Sequence, residues 1–183
     1  MSKIKFVIAA VAVTFAIGYS ADGVKIGEQV WAPKNSDIKV KGSTCYNDDA
    51  EMCKKYGRLY TWKQAKKACP KGWHLPTDDE WKTLKSTLGN PSKAATELTA
   101  KEGWNDYKGK KVVASDIYGW SALPGGMKMN KDKFYDVGKA GYWWSATEYA
   151  EDTAPNWKIE NDNSAFIEYN HEESFLSVRC LKN

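Results

Sequence analysis

The chain has 183 residues, 27 basic and 23 acidic side chains, a formal net charge of +4, and nine tryptophans and ten tyrosines. Two of the lysines fall within the first five residues, and the others are scattered among carboxylates. This excludes an electrostatic nucleic-acid binder, which needs clustered Lys and Arg to displace counterions, and the length suits one domain with a substantial core.

Lys3 and Lys5 precede the uncharged run from Phe6 to Ile17, and Gly18 and Ser20 occupy the minus-three and minus-one positions of a cleavage after Ser20. That is the pattern of a secretory signal over residues 1–20. The apolar run is shorter than the roughly 20 residues a bilayer span needs, so cleavage is expected, leaving no transmembrane segment and a secreted or cell-surface protein. No cysteine lies near the cleavage site, which argues against a lipid anchor. Residues 21–56 are polar and poor in strand signals, with one extended stretch at Gln29–Trp31 and turns through Pro33, Asn35, Ser36 and Gly42. Residues 21–44 read as an N-terminal lead-in to a domain spanning 45–183.

The stretch from Gly57 to Leu84 carries the strongest local signals. Thr61 with Gln64, and Thr77 with Glu80, have the capping-box spacing in which a hydroxyl and a longer polar side chain each satisfy an orphan backbone donor. The first helix places Trp62, Ala65 and Cys69 on one face and is expected to stop at Pro70. The second carries Asp78, Asp79 and Glu80 in its first turn, opposite the positive end of the helix dipole, and lines up Trp81, Leu84 and Leu88 before Gly89 ends it. A further short helix is expected around Ala94–Leu98, after Pro91. From Gly103 to Ala140 glycine, lysine and aspartate predominate, predicting long loops around a strand at Trp120–Leu123 that ends in Pro124-Gly125-Gly126.

The C-terminal third reads as strands and turns. Gly141–Thr147 sends Tyr142, Trp144 and Ala146 to one face and Trp143, Ser145 and Thr147 to the other, the mark of a central strand. Trp157–Glu160 and Ser164–Tyr169 flank a turn at 161–163, and a last strand from Phe175 to Leu181 turns Leu176, Val178 and Cys180 inward. Two early helices followed by a late antiparallel sheet make an α+β fold.

Four cysteines in an exported chain imply two disulfides with three possible connectivities. Chain order favours Cys45 with Cys53 and Cys69 with Cys180; the second closes about 110 residues, worth roughly 4–5 kcal/mol in the chain-entropy model. No Cys-x-x-Cys spacing supports zinc.

The fragments GRLYTW, ACPKGWHLPTDDEW, GWSALPGG, GYWWSATE and SVRC occur in this chain in the order that marks the Fibrobacter succinogenes major paralogous domain, a family of exported bacterial proteins, which the chain resembles over roughly Cys45–Asn183. That family is in turn similar to the C-type lectin-like superfamily. The resemblance implies two short helices packed on twisted antiparallel sheets with long loops, joined N- and C-terminal strands, and a disulfide between Cys69 and Cys180. HLPTDDEW also resembles a segment of formylglycine-generating, sulfatase-modifying enzymes. Those use a pair of reactive cysteines late in the domain, where this chain has only Cys180.

Calcium-dependent sugar binding of the lectin type would call for Glu-Pro-Asn or Gln-Pro-Asp followed by Trp-Asn-Asp. Here Trp104-Asn105-Asp106 comes early and Ala154-Pro155-Asn156 lacks the carboxylate. No metal ligand set and no cofactor is expected, with a structural calcium ion left open. Trp62, Trp73, Trp81, Trp120 and Trp144 belong to the family fragments and read as core. Trp104, Tyr107, Tyr135, Tyr149 and Trp157 sit in loop-rich surroundings and are the candidate ligand-binding aromatics, able to offer flat apolar faces to a polysaccharide. His74 and His171 have no neighbouring nucleophile signature, and Glu148, Glu151 and Asp152, which could supply an acid–base pair, read as a solvated loop. The expected function is therefore a non-catalytic binding module whose partner is a plant cell-wall polysaccharide or a cell-surface protein. An oxidase of the formylglycine-generating type is the remaining alternative.

Overall fold

The computed structural model describes residues 23–129 and 133–183. The expected signal segment, 1–20, lies outside the described residues. Within them the chain is α+β, with short helices, antiparallel sheets and two disulfides.

The lead-in is more ordered than its composition suggests. β1 (Val24–Ile26) and β2 (Gln29–Trp31) form an antiparallel hairpin in which Gly27 takes the left-handed conformation the tight turn demands. Only β2 was legible in advance. Helix α1 (Ala50–Tyr56), also unexpected, starts at Asp49, whose carboxylate accepts the Glu51 N–H at 2.9 Å. Cys45 and Cys53 are disulfide-bonded across its start.

Helix α2 (Trp62–Ala65) is a single turn. Gln64 Oε1 accepts the Thr61 N–H at 3.1 Å as the spacing predicts. The helix does not run to Pro70, because the next N–H groups, of Lys67 and Ala68, close tighter three-residue turns onto Gln64 and Ala65. After β3 (Trp73–His74), helix α3 (Asp78–Leu88) has the full reciprocal box. Thr77 Oγ1 accepts from Glu80 N–H at 3.3 Å, and Glu80 Oε2 accepts from Thr77 N–H at 2.7 Å. Trp81, Leu84 and Leu88 are its buried stripe, and Gly89 ends it. Helix α4 (Pro91–Leu98) is capped by Asn90, whose side chain accepts the Lys93 N–H.

The strand expected at Trp120–Leu123 does not form. Ser121 is in the left-handed region, held there by Asp116, which accepts from both its N–H (2.8 Å) and its hydroxyl (2.6 Å); a single parallel bridge, Thr99 to Ala122, remains. Beyond it come β4 (Met127–Met129), β5 (Lys133–Tyr135), β6 (Ala140–Trp144), β7 (Thr153–Glu160), β8 (Ala165–His171) and β9 (Leu181–Lys182). Three sheets result, ordered β1-β2-β9-β3, β4-β5 and β6-β7-β8. The ladder's middle strand is β7 rather than β6. Yet β6 is bonded on both edges: Trp144 N–H donates to Ser177, Ser177 N–H to Tyr142, and Gly126 N–H to Ala140. Residues 175–177 make only single bridges, because that stretch threads past three partners, Lys128, Tyr60 and Trp143, in successive steps.

The two faces of β6 look into two separate cores, as its alternation predicts. Trp143 joins Trp31, Trp81, Trp120, Trp157 and the α3–α4 leucines, whereas Tyr142 and Trp144 join Tyr60, Trp62, Leu176, Val178 and Cys180. The N-terminal hairpin and the C-terminal strand meet where Trp31 of β2 pairs with Leu181 of β9, and Cys69–Cys180 ties the segment after α2 to that junction.

Candidate functional site

The five candidate aromatics are not gathered into one patch. Trp157 is fully buried and stacks on Trp81, with ring centroids 5.8 Å apart and planes at 5°. It is a core residue, because β7 starts at Thr153, earlier than its sequence suggests, and carries Trp157 opposite Trp143 inside the sheet. Trp104 is half-buried and donates its indole N–H to the Ala122 carbonyl at 3.1 Å. It borders a cleft of about 180 Å³ together with Lys101, Asp106, Lys111 and Val112. Tyr107 sits beside that cleft on a tight turn through Lys108 and Gly109, closed by paired hydrogen bonds between Tyr107 and Lys110. Tyr135 lies elsewhere, on β5 opposite Met127.

Tyr149 does acquire a partner, one missed in the sequence. Its ring lies 4.2 Å from that of Tyr169, tilted by 40°, and the two are 64% and 48% exposed, so together they form an apolar patch in water. Tyr169 shares a strand face with Ala165 and Ile167, which pack in the first core with α4. Further along β8 the same face is exposed at Tyr169, although strand alternation alone places that residue on the side of buried Ala165. Beside the pair lies a shallow recess of about 300 Å³ bordered by Glu148, Glu151, Asp152 and Glu172. Glu148 reaches Lys66 at 3.8 Å, and the Lys66 ammonium sits 3.3 Å from the centre of the Trp62 ring.

The two histidines are engaged in local structure. His74 Nε2 is 2.9 Å from Glu80 and Nδ1 is 2.7 Å from the Asn183 side chain, while His171 Nδ1 accepts the Glu173 N–H. Burial pushes the Glu80 carboxyl up, but the Thr77 N–H, His74 and the Thr77 hydroxyl together hold it below its ordinary value. The backbone of Asn105, the centre of the Trp-Asn-Asp triplet, is anchored at both groups: its N–H donates to the Gly138 carbonyl, and its carbonyl accepts from the Asn161 side chain. On the far face of the β6-β7-β8 sheet burial pulls the Lys158 ammonium down, and Glu160 at 3.0 Å and Glu168 at 3.4 Å more than offset this, so it stays charged. Burial, reinforced by a hydrogen bond to Asp136, drives the neighbouring Tyr142 hydroxyl far above the usual tyrosine range. All four cysteines are in disulfides.

The arrangement offers exposed rings with a polar rim, which suits adsorption of an extended ligand. A family model described as the Fibrobacter succinogenes major domain matches residues 24–182, and so takes in the N-terminal hairpin. Neither a curated protein nor a solved structure matches.

Proposed function

The chain belongs to the Fibrobacter succinogenes major domain family, and we propose that it is an exported, non-catalytic binding module on a C-type lectin-like scaffold that attaches to plant cell-wall polysaccharide. The observation that carries this reading is the Tyr149–Tyr169 pair, two neighbouring rings left in water at the edge of a carboxylate-bordered recess. A sugar ring presents an apolar face to such a platform while its hydroxyls reach the flanking carboxylates. The scaffold assignment is supported by the junction of β2 with β9 and by the Cys69–Cys180 bridge, both features the superfamily resemblance implies. Among the described residues no helix is long and apolar enough to cross a membrane, and disulfides suit an exported chain.

The likeness of HLPTDDEW to sulfatase-modifying enzymes is taken as one of scaffold. In this chain His74, Thr77 and Glu80 hold one another at the start of α3, and the late cysteine is bonded to Cys69.

The test is retention of purified protein on insoluble cellulose and xylan. At ~0.5 M salt the wild type is expected to be retained, and Tyr149→Ala/Tyr169→Ala to lose roughly tenfold or more in affinity. Equal retention of the double variant, or none by the wild type, would remove the polysaccharide reading.

A further inference from the structure

The two ends of the β7–β8 hairpin meet surroundings of opposite charge balance, carboxylates at the open end and a lysine loop at the closed end, where Asp106 and Asp162 are the acidic neighbours. At its open end, β7 begins at Thr153 opposite His171, and the flanking loops bring Glu148, Glu151, Asp152 and Glu172 around the exposed tyrosine pair. At its closed end, Asn163 in the tight turn holds the 107–113 loop: the Val113 N–H donates to Asn163 Oδ1 at 3.0 Å, and Asn163 Nδ2 donates to the Val113 carbonyl at 2.5 Å. That loop presents Lys108, Lys110 and Lys111 with no carboxylate among them, between Tyr107 (39% exposed) and Val113 (61% exposed). β7 has eight residues, so roughly 25 Å separates the two charged ends.

We propose that copies of this protein associate head to tail, the 107–113 lysine loop of one copy docking on the carboxylate-rimmed Tyr149–Tyr169 end of the next. The partner is a second copy because each end complements the other in both respects: Lys108, Lys110 and Lys111 outnumber the adjoining Asp106; Glu151, Asp152 and Glu172 remain on the rim beside the Glu148–Lys66 pair; and exposed apolar groups accompany both. Like charges disfavour the symmetric alternatives, acidic end on acidic end and basic end on basic end. A contact between two different patches is heterologous, so it leaves one unused patch at each end and propagates into an open chain rather than closing a two-fold dimer. Lysine and carboxylate side chains at this exposure are screened by salt, and the association weakens accordingly. The contact would cover the same tyrosine pair that is proposed to hold sugar, so binding to xylan is measured at ~0.5 M salt, where copies stand apart; assembly is measured at low salt without sugar, and either reading can fail while the other stands.

Sedimentation of the purified protein tests this. At ~0.05 M salt the average mass is expected to climb past that of a dimer as concentration rises, and at ~0.5 M salt to fall to that of a monomer. Lys108→Glu/Lys110→Glu/Lys111→Glu and Glu148→Lys/Glu151→Lys/Glu172→Lys, each alone, are expected to stay monomeric at both salts, with at least a tenfold loss in association. Mixing the two variants restores complementary patches, so mass recovers only in the mixture, which also shows that both are folded. The proposal fails if the wild type is monomeric at low salt, if it stops at a dimer, if either variant assembles as the wild type does, or if the mixture shows no recovery.

Discussion

Asn35 and Arg179 show how a polar residue in an apparently featureless lead-in can hold a core together. Asn35 Oδ1 accepts from Arg179 Nε at 3.0 Å, Arg179 Nη2 at 2.8 Å and Trp143 Nε1 at 2.8 Å, while its Nδ2 donates to the Tyr56 carbonyl. The guanidinium lies 4.0 Å from the centre of the Trp120 ring, and Arg179 is 1% exposed. Asn35→Ala strips an acceptor from a buried cation and an indole at once, so it is expected to cost about 3–5 kcal/mol in urea unfolding. Glu80 gives a pH signature at the same scale. Its carboxyl is held below the ordinary 4.5 when folded, so its contribution to stability is present above that value and is lost as the pH falls through the lower folded value. Glu80→Gln should therefore unfold with a shallower loss of stability below pH 4.5 than the wild type, read from midpoints across an acid series.

Elements with local punctuation were legible in the sequence; those built by remote contacts were not. Helix α3 could be read from Thr77, Glu80 and Gly89 because cap, box and stop are all encoded within one short stretch. Thr77→Ala is expected to cost about 1 kcal/mol, measured by thermal or urea melts. The loop through Ser121 has the composition of a strand but is bent by Asp116, five positions away, and nothing in alternating hydrophobicity reports that bond. Likewise β1 is three residues long: Val24 and Ile26 suit a strand, but so short a run becomes ordered only by pairing with β2 and burying Ile26. Gly126 marks where two elements press together: it has φ +66°, and an added Cβ would stand 2.3 Å from the Tyr135 carbonyl and 2.7 Å from the Val137 nitrogen. Both neighbours are backbone and cannot turn away. Gly126→Ala should cost at least about 2 kcal/mol and loosen the β4–β5 hairpin, visible as faster amide exchange there.

At the scale of the molecule, the fold is closed by joining what the chain places far apart, and the two disulfides do this unequally. Cys69–Cys180 spans 111 positions and locks the junction of β9 with the segment after α2, whereas Cys45–Cys53 spans 8 and only fixes the entry to α1. Both pairings were favoured by chain order, but the aromatic load was less readable. Trp157, expected in a loop, is buried in the core, and Tyr169, singled out by nothing in the sequence, is exposed beside Tyr149, because burial is set by tertiary contacts that alternation does not encode. In the chain-entropy model the long loop is worth about 4.8 kcal/mol and the short one about 2.5 kcal/mol. At about 2–4 °C per kcal/mol for a domain of this size, Cys69→Ala/Cys180→Ala should lower the melting temperature by roughly 10–19 °C and Cys45→Ala/Cys53→Ala by roughly 5–10 °C. Calorimetry of the two variants checks the order as well as the size. Equal shifts would mean that the unfolded chain already keeps β9 close to the 69–74 segment, so that the long bridge removes little freedom from it. A larger shift for the long bridge would place its effect in the ensemble it restricts, and would make the last nine residues, with Leu176, Val178 and Cys180 all buried in one core, the segment whose docking completes the fold.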